Sequence, residues 1–137
     1  MSRRKARELA FKVIFQVDQV KADPHSAFEY LLEEQPLAES EKEFSWSLIT
    51  GCLRNQETID RFIGTYANDW TIDRMSSVDR NLMRVASAEI LFEEGSQAAV
   101  AIDEAIEISK KYGEDNSAAF INAILDKIRI DRDENDI

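Results

Sequence analysis

The sequence predicts an all-α protein, a compact single-domain bundle of about seven helices. Only four glycines and two prolines occur among its 137 residues, which leaves room for few turns. Apolar residues recur at the three- and four-residue spacings of amphipathic helices over most of the chain. The content of 44% hydrophobic and 32% charged residues is that of an ordinary globular domain. We expect residues 1–130 to form the helical domain and residues 131–137 to form an acidic, disordered tail.

The first two helices are predicted from an apolar stripe and from a start signal. Helix one covers roughly residues 2–20, where apolar residues follow a helical period. Asp23 and Pro24 open helix two as its N-cap and first helical residue, and Pro36 stops it. His25 is the only histidine and has no cysteine nearby, so it does not predict a metal site, and we expect it at the surface.

The next two helices are less sharply bounded. Ser40 and Glu43 have the S-x-x-E spacing of a capping box, which predicts the start of helix three. A boundary near Asn55 separates it from helix four, which is expected to close near Trp70, a residue that we expect to pack between helices. Cys52, the only cysteine, lies in an apolar stretch and predicts a buried thiol in a reducing compartment.

The central stretch of the chain, Ile72–Phe92, is predicted to form one long, largely buried helix with a capping box at Ser76 and Asp79. The polar residues of this helix are unusual, because Asp79, Arg80 and Arg84 cluster in its N-terminal half. Two interpretations are open. They form either a solvated charge cluster or a patch at which a partner docks.

Two helices are predicted beyond the turn at Gly95. Helix six covers about residues 97–112 and ends before Gly113. Helix seven starts after Asp115 or Asn116 and continues to about residue 131. Three acidic residues of helix six are expected to form a solvated face: Asp103, Glu104 and Glu107.

The charge of the chain is unevenly distributed. The formal net charge is −10, yet residues 1–12 include five basic residues and only one acidic residue. Cations in the first turn of a helix oppose its dipole, typically by about 0.3–1 kcal/mol each, so this arrangement suggests a function rather than stability. The alternative is a frayed, soluble N-terminus. Binding of a polyanion would have to be local and oriented, since the rest of the protein repels it.

Several stretches of the sequence, in this order, resemble one family. They are SRRKARELAFKVIFQ, then IDRFI with a tryptophan seven residues further on, then VDRNLMRVASAEIL, and finally AIDEAIEISKKYG followed by FINAILDKI. Together they cover nearly the whole chain and resemble the NusB family of bacterial transcription antitermination factors.

The resemblance implies a seven-helix fold that binds the boxA element of ribosomal RNA leader transcripts. It further implies a partner, the small-subunit ribosomal protein NusE, and a complex on RNA polymerase that suppresses premature termination in the cytoplasm. The same helical domain begins some ribosomal RNA cytosine methyltransferases, but 137 residues leave no room for a methyltransferase domain. We therefore expect no enzyme, no cofactor, no metal and no membrane association.

The resemblance also implies two sets of site residues. The RNA-binding set comprises the basic start of the chain and the junction of helices six and seven: Arg3, Arg4, Lys5, Arg7, Lys110, Lys111, Tyr112, Asn116, Ser117 and Phe120. The partner-binding set lies around the central helix: Phe15, Asp79, Arg80 and Arg84. Family members often have Glu at the position of Asp79, and the acidic tail has no clear counterpart in the family pattern.

The sequence is compatible with two functions. One is an adaptor that binds both RNA and a protein. The other is a helical adaptor that binds proteins without contacting RNA directly, with its basic end meeting an acidic partner. The sequence does not distinguish a monomer from a homodimer.

Overall fold

The computed structural model describes residues 3–68 and 71–135. In this part of the chain it contains seven α-helices, one short 3-10 turn at Ile72–Arg74, and no strand, so the predicted all-α fold is confirmed. The helices are α1 (Arg3–Val20), α2 (Pro24–Glu34), α3 (Glu39–Arg54), α4 (Gln56–Tyr66), α5 (Ser77–Phe92), α6 (Ala98–Tyr112) and α7 (Ser117–Asn135).

Helix α5 is the centre of the fold. It contacts α1, α3, α4, α6 and α7, and every residue from 81 to 90 is buried. Leu82 and Met83 of α5 are almost fully enclosed, and burying an aliphatic side chain of this size typically stabilises a fold by about 1.5–3 kcal/mol. Cys52 of α3 lies in the same core as predicted, and burial raises the pKa of its thiol to about 12.

The start of α2 matches the prediction, whereas the start of α3 does not. The Asp23 carboxylate accepts a hydrogen bond from the Ser26 N–H at 2.9 Å, and Pro24 is the first helical residue. The capping box at Ser40 is wrong, because α3 already begins at Glu39. The first intrahelical bond of α3 closes on the Ala38 carbonyl, so Ser40 is inside the helix and cannot cap it.

The predicted continuous helix over Ile72–Phe92 is interrupted. Met75 and Ser76 have extended ψ angles, which separate the 3-10 turn from α5. The Ser76 hydroxyl accepts from the Asp79 N–H at 3.1 Å, which confirms Ser76 as the cap of α5. Arg80 holds the preceding turn in place, because its guanidinium donates to the carbonyls of Ile72 and Met75.

Helix α7 continues beyond the predicted boundary at residue 131. The Arg132 guanidinium donates to the Ile90 carbonyl at 3.1 Å, and the Asn135 amide donates to the Asp131 carbonyl. The first bond attaches the last turns of α7 to the end of α5, and the second lies within α7. Residues 131–135 are therefore helical, not disordered. The expectations for Ser2, Trp70 and residues 136–137 lie outside the described residues. None of the described helices is both long and apolar enough to cross a membrane.

Candidate nucleic-acid interface

The basic residues at the start of α1 point in several directions. The Arg3 guanidinium lies over the Phe44 ring of α3, 4.0 Å from its centroid. Arg4 instead donates three charge-assisted hydrogen bonds to the Glu104 carboxylate of α6, the shortest at 2.7 Å. Lys5 is exposed. The predicted RNA-binding cations of α1 therefore spread around the helix.

Arg7 is buried against the centre of the fold. Its guanidinium forms a two-pronged pair with the Glu89 carboxylate of α5, at 2.8 and 2.7 Å, and the two side chains are only 9% and 4% exposed. Arg7 also lies 3.5 Å from Glu104. The predicted solvated face of α6 is therefore wrong for Glu104, which turns towards α1 and pairs with Arg4 and Arg7. Asp103 is exposed as expected.

The end of α6 meets α1 in a compact charged cluster. The Glu8 carboxylate accepts hydrogen bonds from the Tyr112 hydroxyl and from the Lys111 ammonium, the latter at 2.9 Å, and Lys12 lies 4.0 Å away. The Tyr112 ring packs against Phe11 with 5.5 Å between centroids. We call Glu8, Lys12, Lys111 and Tyr112 the Glu8 cluster.

The electrostatics of the Glu8 cluster follow from these contacts. Burial alone would raise the pKa of Glu8, but the hydrogen bonds from Tyr112 and Lys111 outweigh burial and hold the pKa below its usual value. The hydrogen bond to Glu8 raises the pKa of Lys111. Burial, together with the bond to Glu8, raises the pKa of Tyr112. At neutral pH the cluster therefore holds an ionised carboxylate between two ammonium groups.

The corner between α6 and α7 is tightly built. A Cβ added at Gly113 would lie 2.7 Å from the Ser117 hydroxyl oxygen, so the close approach of the two helices requires glycine here. Ser117 is buried, and its hydroxyl accepts from the Glu114 N–H at 3.0 Å. Asn116 is exposed beside it. Ser117 thus shapes the corner, while Asn116 is available at the surface.

Lys110 and Phe120 complete the predicted RNA-binding set. Lys110 is exposed and pairs with Glu107 at 2.8 Å along the same helix. Phe120 is half-buried and lines a shallow cleft with Tyr66 and Lys127, beside the end of α4. Of the predicted set, Arg4, Lys111 and Tyr112 thus bridge α1 and α6, Arg4 through Glu104 and the other two through Glu8. Neither carboxylate was predicted as a partner.

Two of the predicted partner-binding residues of α5, Arg80 and Arg84, are paired inside the protein. Asp18 of α1 accepts from Arg80 at 2.6 Å and from the Asn81 amide at 2.9 Å. Arg84 forms a two-pronged pair with Asp60 of α4, at 2.8 and 2.9 Å. Burial favours the neutral form of Asp18, but the bonds from Asn81 and Arg80 prevail and hold its pKa well below the usual range. The interpretation of Asp79, Arg80 and Arg84 as a solvated charge cluster is therefore wrong.

Phe15 and Asp79 complete this second region. Phe15 is half-buried beside Phe11, three residues before Asp18, so Phe15 and Asp18 lie on one face of α1. Asp79 is buried, and within residues 3–68 and 71–135 its Oδ1 atom has no hydrogen-bond partner. Buried polar atoms usually have a partner, so this oxygen is unusual.

Asp18, Asp60, Glu89 and Glu104 were missed by reasoning from the sequence, because their partners are distant along the chain. Glu8 and Lys12 have the i, i+4 spacing of a helical ion pair, and this spacing was the one feature of the sequence that could have indicated a carboxylate in the site. In the part of the chain that the structure describes, no three His, Cys, Asp or Glu side chains come together as metal ligands.

Comparison with known proteins identifies relatives over almost the whole chain. The sequence pattern of the NusB family matches residues 4–129. The transcription antitermination protein NusB of Syntrophomonas wolfei subsp. wolfei is 64% identical over 128 residues, which are 93% of this chain and 96% of that protein. The protein of the same name from Pelotomaculum thermopropionicum is 44% identical over 93% of this chain and 89% of its own length.

Solved structures agree with the sequence comparison. T. maritima NusB superposes with a TM-score of 0.88 and 37% identity, covering 100% of this chain and 99% of that chain. A chain from the crystal structure of antitermination factors NusB and NusE in complex with dsRNA gives a TM-score of 0.85 and 27% identity, covering 95% of this chain and 98% of that chain. The seven-helix fold and the family pattern coincide, and the chain belongs to the NusB family.

Proposed function

We propose that this protein is a transcription antitermination factor that binds the boxA element of ribosomal RNA leader transcripts together with the ribosomal protein NusE. Family membership supports the proposal, and so does the crystal structure of a related NusB with NusE and dsRNA. The observation that carries it is the junction of α1 and α6, where basic side chains from both helices lie side by side on a protein with a net charge of −10.

The RNA would lie along this junction. Arg3, Arg4, Lys5, Lys110 and Lys111 are exposed and can reach phosphates, whereas the acidic remainder of the surface repels RNA and so orients it. Asn116 and Tyr112 lie at the edge of this surface, where an amide and an aromatic ring suit contact with single-stranded bases. Phe120, the second aromatic side chain of the predicted set, would meet the RNA only if the RNA runs past the corner of α6 and α7.

Two residues of the predicted RNA-binding set are better explained as residues that position the surface. Arg7 is enclosed by its pair with Glu89, and Ser117 is buried in the corner of α6 and α7. We propose that both residues position the surface without contacting phosphate. Removing either would weaken RNA binding indirectly, by moving α1 or the corner.

The NusE partner would dock on the region of Phe15, Asp79, Arg80 and Arg84. Phe15 offers a half-buried aromatic side chain, and the unpaired Asp79 oxygen could be satisfied by a donor from a partner after a small local movement. Arg80 and Arg84 are already paired with Asp18 and Asp60, so in this proposal they hold the docking surface in shape.

A second candidate function is an adaptor that binds proteins without direct RNA contact. The pairing of Arg4, Lys110 and Lys111 with carboxylates favours it, because these pairs weaken the positive field of the patch. In either case we propose that the protein acts in the cytoplasm as part of an antitermination complex on RNA polymerase.

Titration with labelled RNA separates the two functions. Binding of boxA RNA and of a scrambled RNA of the same length is measured with and without NusE, between about 50 and 200 mM salt. We expect boxA binding that weakens as salt rises and tightens when NusE is present. If NusE binds but neither RNA binds at low salt, alone or with NusE, the protein-only adaptor is correct.

The docking surface has its own test. Asp79→Asn removes the charge of the buried carboxylate at constant size and should weaken NusE binding, while boxA binding by the free protein stays unchanged. Asp73→Asn, in the exposed 3-10 turn, is the matched control. Equal NusE affinity for wild type and Asp79→Asn would place the docking site elsewhere.

A further inference from the structure

Glu8 lies inside the basic surface that the proposed function assigns to RNA. Its carboxylate is bonded to Lys111 and Tyr112 and lies 4.0 Å from Lys12, so one anion already occupies the space between two lysines. A carboxylate surrounded by ammonium and hydroxyl donors makes the same contacts that a phosphate oxygen would make.

The two side chains of the Glu8–Lys111 pair differ in how freely they can move. The Glu8 side chain is 11% exposed and is held by the Tyr112 hydroxyl, while the Lys111 side chain is 61% exposed at the end of α6. Lys111 can therefore turn from Glu8 towards a ligand, whereas Glu8 stays in place. When Lys111 leaves, Glu8 remains charged and partly buried with less compensation, which costs free energy.

We propose that Glu8 is an internal competitor of RNA phosphate for Lys111 and Lys12, and that it limits the affinity of this surface for RNA. The inference rests on the proposed RNA-binding function. Phosphate contacts carry no sequence information, so the competition weakens binding of every RNA alike. Tight binding then requires additional contacts, to bases or through the protein partner, and a generic polyanion does not bind well.

The test is Glu8→Gln, which removes the charge and keeps an oxygen that can accept from Tyr112 and Lys111. A unit charge about 6 Å from a phosphate, at an effective dielectric constant of about 40–80, changes affinity by roughly three- to tenfold. We expect that gain at low salt for boxA RNA and for scrambled RNA, with a steeper salt dependence. Glu33→Gln, an equal charge change on the exposed face of α2, should alter affinity by less than about twofold.

A double-mutant cycle shows whether Glu8 acts through Lys111. In a Lys111→Gln background the gain from Glu8→Gln should shrink, because the contested cation is gone. Circular dichroism checks that each variant is folded. If Glu8→Gln does not fold, Glu8→Asp, which withdraws the carboxylate by one methylene, should show a smaller gain in the same direction.

The outcomes separate this inference from the proposed function. Weaker RNA binding by folded Glu8→Gln would mean that Glu8 positions Lys111 for the RNA, and equal binding would mean that it does not compete. Either result overturns the inference and leaves RNA binding intact. Failure of the wild type and of Glu8→Gln to bind any RNA at low salt, with or without NusE, would overturn the proposed function and this inference with it.

Discussion

Truncation of Arg7 tests whether this arginine supports the fold or contacts RNA. Arg7→Ala would leave the Glu89 carboxylate, 4% exposed, buried without the cation that now meets it at 2.7 and 2.8 Å. Breaking a buried pair in this way typically costs about 3–5 kcal/mol. A domain of this size is stable by only about 5–15 kcal/mol, so the melting temperature should fall by roughly 10–15 °C.

The assay is urea unfolding followed by circular dichroism, with Arg3→Ala as the matched control. Arg3 lies one turn earlier on α1 and is exposed over the Phe44 ring, so its removal should cost no more than about 0.5–1 kcal/mol. A double variant, Arg7→Met with Glu89→Leu, replaces the ion pair by apolar side chains. It should recover most of the loss, because such replacements of buried pairs are often neutral.

If Arg7→Ala is as stable as Arg3→Ala to within about 1 kcal/mol, the size of an ordinary surface effect, the Arg7–Glu89 pair does not support the fold. If the apolar double variant is no more stable than Arg7→Ala, the unpaired charge of Glu89 does not cause the loss. The comparison matters for function, because weaker RNA binding by an unstable Arg7 variant would otherwise be mistaken for the loss of a phosphate contact.

Three further predictions concern charge. Replacing Arg3 and Lys5 together by Gln should weaken RNA binding and reduce the slope of log affinity against log salt by about 1.4, and an unchanged slope would exclude both from the interface. Asn116→Asp should weaken RNA binding by roughly 0.5–1.5 kcal/mol at low salt, with the melting temperature within about two degrees of wild type. Asp18→Asn should lower the melting temperature at about pH 7, because the depressed pKa of Asp18 stabilises the fold above the ordinary value of about 3.9. That stabilisation is lost as the pH falls, so melting curves should show the difference from wild type narrowing below about pH 4, and a constant difference would contradict the linkage.

The helices of this fold could be predicted because their apolar stripes are local. Asp23 and Pro24 mark the start of α2, and the structure follows them. The predicted helix boundaries are wrong where the path of the backbone, and not the local sequence pattern, determines where a helix begins. Ser40 has the spacing of a cap, but the chain enters the helix one residue earlier, at Glu39. The stretch Ile72–Arg74 has a helical pattern, but it turns as a 3-10 segment that Arg80 holds through carbonyl contacts.

The contacts of the candidate site residues could be predicted only in part, for a different physical reason. Basic residues near the start of a chain can be recognised in the sequence, but their partners cannot. Arg7 and Glu89 are separated by 82 positions, and Arg4 and Glu104 by 100. No local spacing rule connects such pairs. The acidic residues of α6 therefore seemed to be a solvated face, although Glu104 faces α1.

The conflict between the basic start of α1 and its helix dipole is smaller than the sequence suggests. No acidic residue occupies the first turn of α1, and that conflict with stability suggested a function for the whole basic segment. Glu89 and Glu104 compensate Arg7 and Arg4 through tertiary contacts, so for these two residues the conflict is resolved within the fold. Among the described residues, Arg3 and Lys5 have no carboxylate within ion-pair distance, so their conflict with the helix dipole is not compensated in this way. The permanently available positive charge of α1 is thus smaller than the sequence suggests. In the proposed complex, Arg4 of α1 and Lys111 of α6 would contribute positive charge only when a phosphate displaces the carboxylates that hold them.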